Sequence, residues 1–316
     1  MKVLVLSSIW PSALESLVAS HDTRVELKST PESLPSLMSD AEIVVVRSGV
    51  RLDRAALSAA DKLKLIVRAG GGLDGIDCDF ARQHGVRIIS VPLSAQSVAE
   101  HAISLALALS HRVVQHHTAL AAGRWEKHSG YGRNLFGRQL GLLGFGRIGQ
   151  RIGEIGRALG MNVIAYDRSP EKADKQRVAG QIEAHFVGLD ELFAQSEVLV
   201  IQAPLNAESR RLVDASKLSL MRADALLINV GRGGIVDEVA LFNALRSGEL
   251  AGAALDVFEQ EPPGNHPLFQ LPNFIGTPHV AAQTEDAQRT VGETVVKIIE
   301  AFASQGDWTT HGVLIV

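Results

Sequence analysis

Residues 140–149, LGLLGFGRIG, with Asp167 after them in VIAYDRS, constrain this chain more than any other stretch. The apolar run Leu140, Leu142 and Leu143 reads as a buried strand. It leads into Gly144, Gly146 and Gly149 at G-x-G-x-x-G spacing. Ile148, Ile152, Ile155 and Leu159 then recur at a helical period over 147–159. Gly144 allows a tight turn, Gly146 lets the backbone approach a pyrophosphate, and Gly149 lets helix and strand pack closely. The helix start, with Arg147 and Ile148 in its first turn, offers N–H groups and a positive dipole end to phosphates. A second apolar strand, 161–166, ends in Asp167, whose carboxylate can accept from ribose 2′- and 3′-hydroxyls and would repel a 2′-phosphate. NAD is therefore the expected cofactor. Arg168 is of a type that can meet a 2′-phosphate, which leaves NADP open.

The same rhythm runs through the rest of the chain. Residues 2–6, 24–27, 42–46, 63–68 and 87–90 read as strands, with helices over 11–19, 53–60 and 78–83. After Asp167 come strands 197–203, 225–230, 251–257 and 274–276, with helices 238–247 and 285–303. Pro204, just past the strand 197–203, joins the candidate cofactor contacts. Such alternation predicts an α/β fold with parallel sheets covered by helices on both faces. Residues 97–114 are apolar on most faces of one long helix, which implies burial between domains or subunits. The domain crossover is expected near 93, with a return near 282 and a tail, 308–316, packing or adding a strand.

At 316 residues two domains are the natural expectation. A net charge of −4 gives no electrostatic case for nucleic acid. The one cysteine, Cys78, makes no internal disulfide and no metal cluster. The start MKVLVLSS reads as a first strand rather than a signal peptide, and no apolar run approaches membrane-spanning length. A cytoplasmic protein with no membrane and no metal is the expectation.

Three polar residues follow successive strands of the second half: Arg232 in NVGRGGIVDE, Glu261 in LDVFEQEPP and His279 in GTPHVAAQ. Taken singly they suit a surface cation, a solvated acid and a capping residue. Together, at the carboxyl edge of a dinucleotide-type sheet, they suit chemistry. A guanidinium grips a 2-oxo-acid carboxylate in a planar fork. A histidine takes or returns a hydroxyl proton, and a carboxylate bonded to it fixes its tautomer. In the first half, RAGGGLDG (68–75) places glycines directly after a strand, where open sheets bind ligands through backbone N–H groups.

These motifs resemble the D-isomer-specific 2-hydroxyacid dehydrogenase family, which includes phosphoglycerate dehydrogenases and glyoxylate/hydroxypyruvate reductases. The resemblance runs through VRS (46–48), RAGGGLDGID (68–77), SVAEH (97–101), LLGFGRIGQ (142–150), NVGRGGIVDE, LDVFEQEP and TPHVAA. It implies Arg232, Glu261 and His279 as catalytic residues, Asp256 as a nicotinamide-side contact, and a turn at Ala69, Gly70 and Gly71 that holds the substrate carboxylate. It implies two Rossmann-like, doubly wound parallel-sheet domains with the active-site cleft between them. The substrate-binding domain would comprise 1–93 and 282–316, and the NAD-binding domain 94–281.

The resemblance further implies a homodimer formed largely through the helix at 97–114. Arg47 matches the position where phosphoglycerate dehydrogenases present an arginine to the substrate phosphate, and RAGGGLDGID reads closest to that branch. The segment Pro92-Leu93-Ser94-Ala95-Gln96 is one residue short of many relatives and lacks their asparagine. The implied function is reversible hydride transfer between a nicotinamide and C2 of a small 2-hydroxy/2-oxo acid. Glyoxylate/hydroxypyruvate reduction and a non-catalytic NAD-sensing protein of the same fold are the alternatives.

Overall fold

The structure, a computed structural model, describes residues 1–128 and 130–316. The chain divides into two units, Met1–Ser94 with Gln283–Val316, and Ala95–Ala282. In the first unit β1 (Lys2–Val5), β2 (Asp22–Val25), β3 (Ile43–Val46), β4 (Leu65–Arg68) and β5 (Arg87–Ser90) are parallel, in the order β5-β4-β3-β1-β2. The tail strand Val313–Leu314 adds antiparallel to β5. This is a doubly wound order whose direction reverses between β1 and β3.

The second unit carries β6 (Gln139–Leu143), β7 (Asn162–Tyr166), β8 (His185–Phe186), β9 (Val198–Ile201), β10 (Leu226–Asn229), β11 (Gly252–Leu255) and β12 (Phe274–Gly276). All are parallel, in the order β12-β11-β10-β9-β6-β7-β8. The dinucleotide-type order 3-2-1-4-5-6 is contained in it, and the reversal falls between β6 and β9.

The central strands of both sheets are buried on both faces, which is why they read as unbroken apolar runs. In β3, Val44 and Val46 join one core cluster while Ile43 and Val45 join the opposite one. In β9, Val198 and Val200 face one layer, Leu199 and Ile201 the other. Each such side chain contributes about 1.5–3 kcal/mol on burial.

The expected helix over 97–114 is two helices, Ala95–Ser110 and Val113–Ala121. Arg112 between them is left-handed, with φ 55°. The Ser110 carbonyl accepts the Arg133 N–H at 2.7 Å, so the first helix ends on a tertiary partner that hydropathy does not reveal. The second strand lies earlier than expected, because Lys2 to Val5 pair in register with Asp22 to Val25. Among the described residues no helix is long and apolar enough to cross a membrane.

The helix Arg147–Ala158 seats on β6 through its glycines. A side chain at Gly149 would come within 2.4 Å of the Gly144 carbonyl oxygen, and one at Gly156 within 2.3 Å of Leu140. The first of these contacts is backbone and cannot swing aside. Gly149→Ala is therefore expected to destabilise the protein by about 1–3 kcal/mol, read as a lower urea midpoint at unchanged m-value. Unchanged stability would show that the helix can shift freely against the sheet.

Candidate active site

The glycine turn lies at the reversal between β6 and β9, where open α/β sheets bind ligands. Gly144 adopts φ +102°, which favours glycine, and its N–H donates to the Tyr166 carbonyl at 2.8 Å. The Gln202 side-chain amide donates to the Gly144 carbonyl and ties the turn to the end of β9. At Gly146 a side chain would meet nothing within 4 Å, so the backbone there faces open space. No side chain caps the helix start at Gly146. Arg147 is exposed and Ile148 half-buried in the first turn, and Pro204 is exposed beyond β9. A diphosphate suits these features, since free helix N–H groups and an open glycine backbone are what it requires.

Asp167 follows β7 and is half-buried. Its Oδ2 accepts the Phe145 N–H at 2.9 Å, and its Oδ1 accepts the Ser169 N–H at 2.8 Å and the Lys175 ammonium at 2.5 Å. Burial pushes its pKa up, but Lys175 and the two backbone donors outweigh that and hold it below the ordinary value.

Arg232, Glu261 and His279 follow three adjacent strands, β10, β11 and β12. Glu261 and His279 are in direct contact, with Nδ1 2.8 Å from Oε2. Nδ1–H donates to the carboxylate, which leaves Nε2 as the ring nitrogen not committed to Glu261. The His279 side chain is 32 % exposed, so that atom is reachable. Burial raises the Glu261 pKa, but the His279 hydrogen bond, its charge and the Phe258 N–H together bring it below the usual value.

Arg232 sits in a loop shaped by Asn229, which is buried. The Asn229 amide donates to the Arg232 carbonyl at 3.0 Å and its oxygen accepts the Gly231 N–H at 3.0 Å. The Arg232 guanidinium donates to the Gly231 carbonyl at 2.7 Å. A side chain at Gly233 would fall 1.8 Å from the Phe258 carbonyl oxygen, so the Arg232 loop packs backbone to backbone on the loop that carries Glu261.

Asp256, the expected nicotinamide-side residue, directly follows β11. Its side chain has no exposed surface. Oδ1 accepts the Thr277 hydroxyl at 2.6 Å and the Val280 N–H at 2.8 Å, and Oδ2 accepts the Ala281 N–H at 2.9 Å. Its own carbonyl accepts the His279 N–H at 2.8 Å. The carboxylate thus clamps the 277–281 loop on both sides of His279, which is itself left-handed at φ 55°. Thr277 spends its proton on Asp256, so its hydroxyl accepts from Nε2–H of His101, 3.1 Å away.

His101 and Thr277 belong to this cluster, although the sequence alone assigns neither a role. The available signal was a titratable side chain at the end of SVAEH inside an otherwise apolar helix.

In the first unit, Ala69 is buried and Gly70 adopts φ +151°. The Arg68 guanidinium braces this turn through the Gly72 carbonyl at 2.7 Å, and lies where a side chain at Gly70 would stand. The Gly70 N–H is used internally, on the Arg68 carbonyl at 2.8 Å. Gly71 packs against Pro92. Arg47 follows β3, at the reversal of this sheet. Its N–H donates to the Ser7 hydroxyl at 3.0 Å, and its guanidinium donates to Gln288 at 2.6 Å and to the Ser8 carbonyl at 3.4 Å. Burial pulls its pKa down from the ordinary arginine value.

Comparison with known proteins matches residues 103–281 to the family described as D-isomer specific 2-hydroxyacid dehydrogenase, NAD binding domain. The chain is 37% identical over 302 residues to the D-3-phosphoglycerate dehydrogenase of Methanocaldococcus jannaschii, covering 95% of this chain and 57% of that protein. It thus spans little more than half the length of that relative. It is 37% identical to the hydroxypyruvate reductase of Thermotoga maritima, covering 85% of this chain and 87% of that one. The solved structure of D-lactate dehydrogenase from Aquifex aeolicus, complexed with NAD and lactic acid, superposes with a TM-score of 0.87 at 27% identity, over 99% of this chain and 98% of that one.

The Asp256 clamp yields a stability test. Asp256→Ala strands the Val280 and Ala281 N–H groups and is expected to cost about 1–3 kcal/mol. Burial alone would raise the Asp256 pKa, but His101, Thr277 and the two N–H donors bring it below its ordinary 3.8. A lowered pKa means a contribution fully present above the unfolded value and lost as pH falls through the folded one. The stability gap between wild type and variant should be flat from neutrality to about pH 4 and shrink below it, followed by denaturant unfolding across pH. A gap that widens in acid would contradict the clamp.

Proposed function

The chain belongs to the D-isomer specific 2-hydroxyacid dehydrogenase family, and from that premise we propose that it is an NAD-dependent oxidoreductase acting on the CH–OH group of a small 2-hydroxy acid. The observation that carries this reading is the 2.8 Å contact between His279 and Glu261 at the carboxyl edge of the sheet that also bears the glycine turn. NAD supplies the hydride acceptor, and NADH the donor in the reverse direction. Gly144, Gly146, Arg147, Ile148, Gly149 and Pro204 would hold the dinucleotide, with Asp167 on the ribose side. Arg232 grips the substrate carboxylate and polarises the neighbouring C2 oxygen. His279 Nε2 takes the hydroxyl proton as C2 loses hydride, and returns it in reduction. Glu261 holds the ring in the tautomer that leaves Nε2 free. Asp256 acts through the loop that sets the His279 backbone.

Within the family this reading favours a phosphoglycerate dehydrogenase-like substrate, with Arg47 meeting its phosphate and Ala69, Gly70 and Gly71 contributing to carboxylate binding. The support is the way Gln288 and the Ser8 carbonyl hold the Arg47 head group, and the Ser7 hydroxyl its backbone N–H, at a sheet reversal. Glyoxylate or hydroxypyruvate reduction is the other substrate reading. The same proposal takes the protein as cytoplasmic and homodimeric. Exposed Val113, Val114, Leu120 and Trp125, along the helix Val113–Ala121 and just after it, favour a second copy there.

Following nicotinamide absorbance, His279→Ala is expected to lower kcat by about 10²–10⁴-fold. The NADH dissociation constant should stay within about twofold, since the residue acts on the substrate proton. Equal turnover in that variant would overturn the mechanism. Arg47→Ala should raise KM for D-3-phosphoglycerate by about tenfold or more and leave unphosphorylated 2-oxo acids unaffected. Parallel losses on both classes, or no turnover of the phosphorylated acid by wild type, would remove Arg47 from the substrate.

A further inference from the structure

Asp167 has an unusual neighbour for a ribose-binding acid. Lys175 reaches back from the first turn of the helix Ala173–Gln181 and places its ammonium 2.5 Å from Oδ1. Both side chains are largely buried, Lys175 at 12% and Asp167 at 13% exposure. A cation in the first turn works against the helix dipole, so Lys175 is not placed there for the helix. Its charge is matched by Asp167.

A ribose-site carboxylate selects against a 2′-phosphate in two ways. It brings an uncompensated negative charge, and it offers acceptors that suit hydroxyls. Here both features are blunted. Lys175 neutralises the charge, and both carboxylate oxygens already accept protein donors, Phe145 N–H on one and Ser169 N–H with Lys175 on the other. The next residue, Arg168, is an exposed cation whose partner is Glu208, itself exposed. Surface pairs of that kind are weak, about 0–1 kcal/mol, and yield readily to a better anion.

We infer that this chain binds a dinucleotide with a 2′-phosphate on its adenosine ribose, NADP(H), as well as NAD(H), with Lys175 and Arg168 meeting the phosphate. The inference rests on the dinucleotide reading above and narrows its selectivity.

The test is equilibrium titration of the full chain with NADH and with NADPH, following nucleotide fluorescence at low and high salt. In wild type the two dissociation constants should lie within about tenfold of each other. Salt should weaken NADPH binding more than NADH binding, because the extra contacts are charge pairs. Lys175→Met should weaken NADPH by about tenfold or more and NADH by less than about threefold. Arg168→Ala, at an exposed position, should weaken NADPH by about threefold or more and leave NADH unchanged. It decides the matter if the lysine variant does not fold.

NADH binding with NADPH weaker by more than about a hundredfold in wild type would overturn this inference alone. So would equal losses for both nucleotides in Lys175→Met, which would make Lys175 a structural partner of Asp167. Binding of neither nucleotide would overturn the dinucleotide reading itself, and this inference with it.

Discussion

A single buried carboxylate organises the reactive end of the second unit. Asp256 has no contact with solvent, so an unmatched charge there would be prohibitive. It is matched by the Thr277 hydroxyl, two backbone N–H groups and the nearby His101 ring. Because those N–H groups belong to Val280 and Ala281, satisfying the charge fixes the backbone on one side of His279. The Asp256 carbonyl fixes the His279 N–H itself. A left-handed histidine is a costly conformation that persists only where its surroundings over-determine it. The cluster around Asp256 is that surrounding, and through it the packing of β11 against the Ala95–Ser110 helix reaches the imidazole.

Much of this was legible in the sequence, and the reasons are physical. Parallel strands buried on both faces must be apolar throughout, so Ile43–Val46 and Val198–Ile201 announce themselves without ambiguity. Gly144 and Gly149 are legible because each answers a backbone demand, the first a φ of +102° and the second a close approach to the Gly144 carbonyl. The contact of Glu261 with His279 was anticipated from residue types at successive strand ends, since parallel topology brings such ends to one edge.

The rest depended on tertiary partners that periodicity does not encode. Residues 97–114 carry an uninterrupted apolar pattern, yet the helix stops at Ser110, where Arg133 N–H takes its carbonyl. Asp256 has the sequence context of a ligand contact, but its burial and its donors come from residues about twenty positions away in the chain. The helix Ala173–Gln181 is polar over most of its surface and gave little periodic signal. Lys175 is illegible for the same reason, although it neutralises Asp167.

Three acids at one sheet edge show how environment assigns different work to one functional group. Asp167 is paired with the Lys175 ammonium, so the pair presents a nearly neutral dipole. Asp256 is sealed, and its hydrogen bonds serve the backbone. Glu261 is partly exposed and in direct contact with an imidazole that is itself partly exposed, whereas the His101 ring lies 3.5 Å from a carboxylate with no exposed surface. All three are held below their ordinary pKa, so ionisation state does not distinguish them. The partner does. A lysine partner sets charge, a backbone partner sets shape, and an imidazole partner can exchange a proton, which is why the proposed chemistry is placed on the β11 and β12 loops and the proposed selectivity at the end of β7.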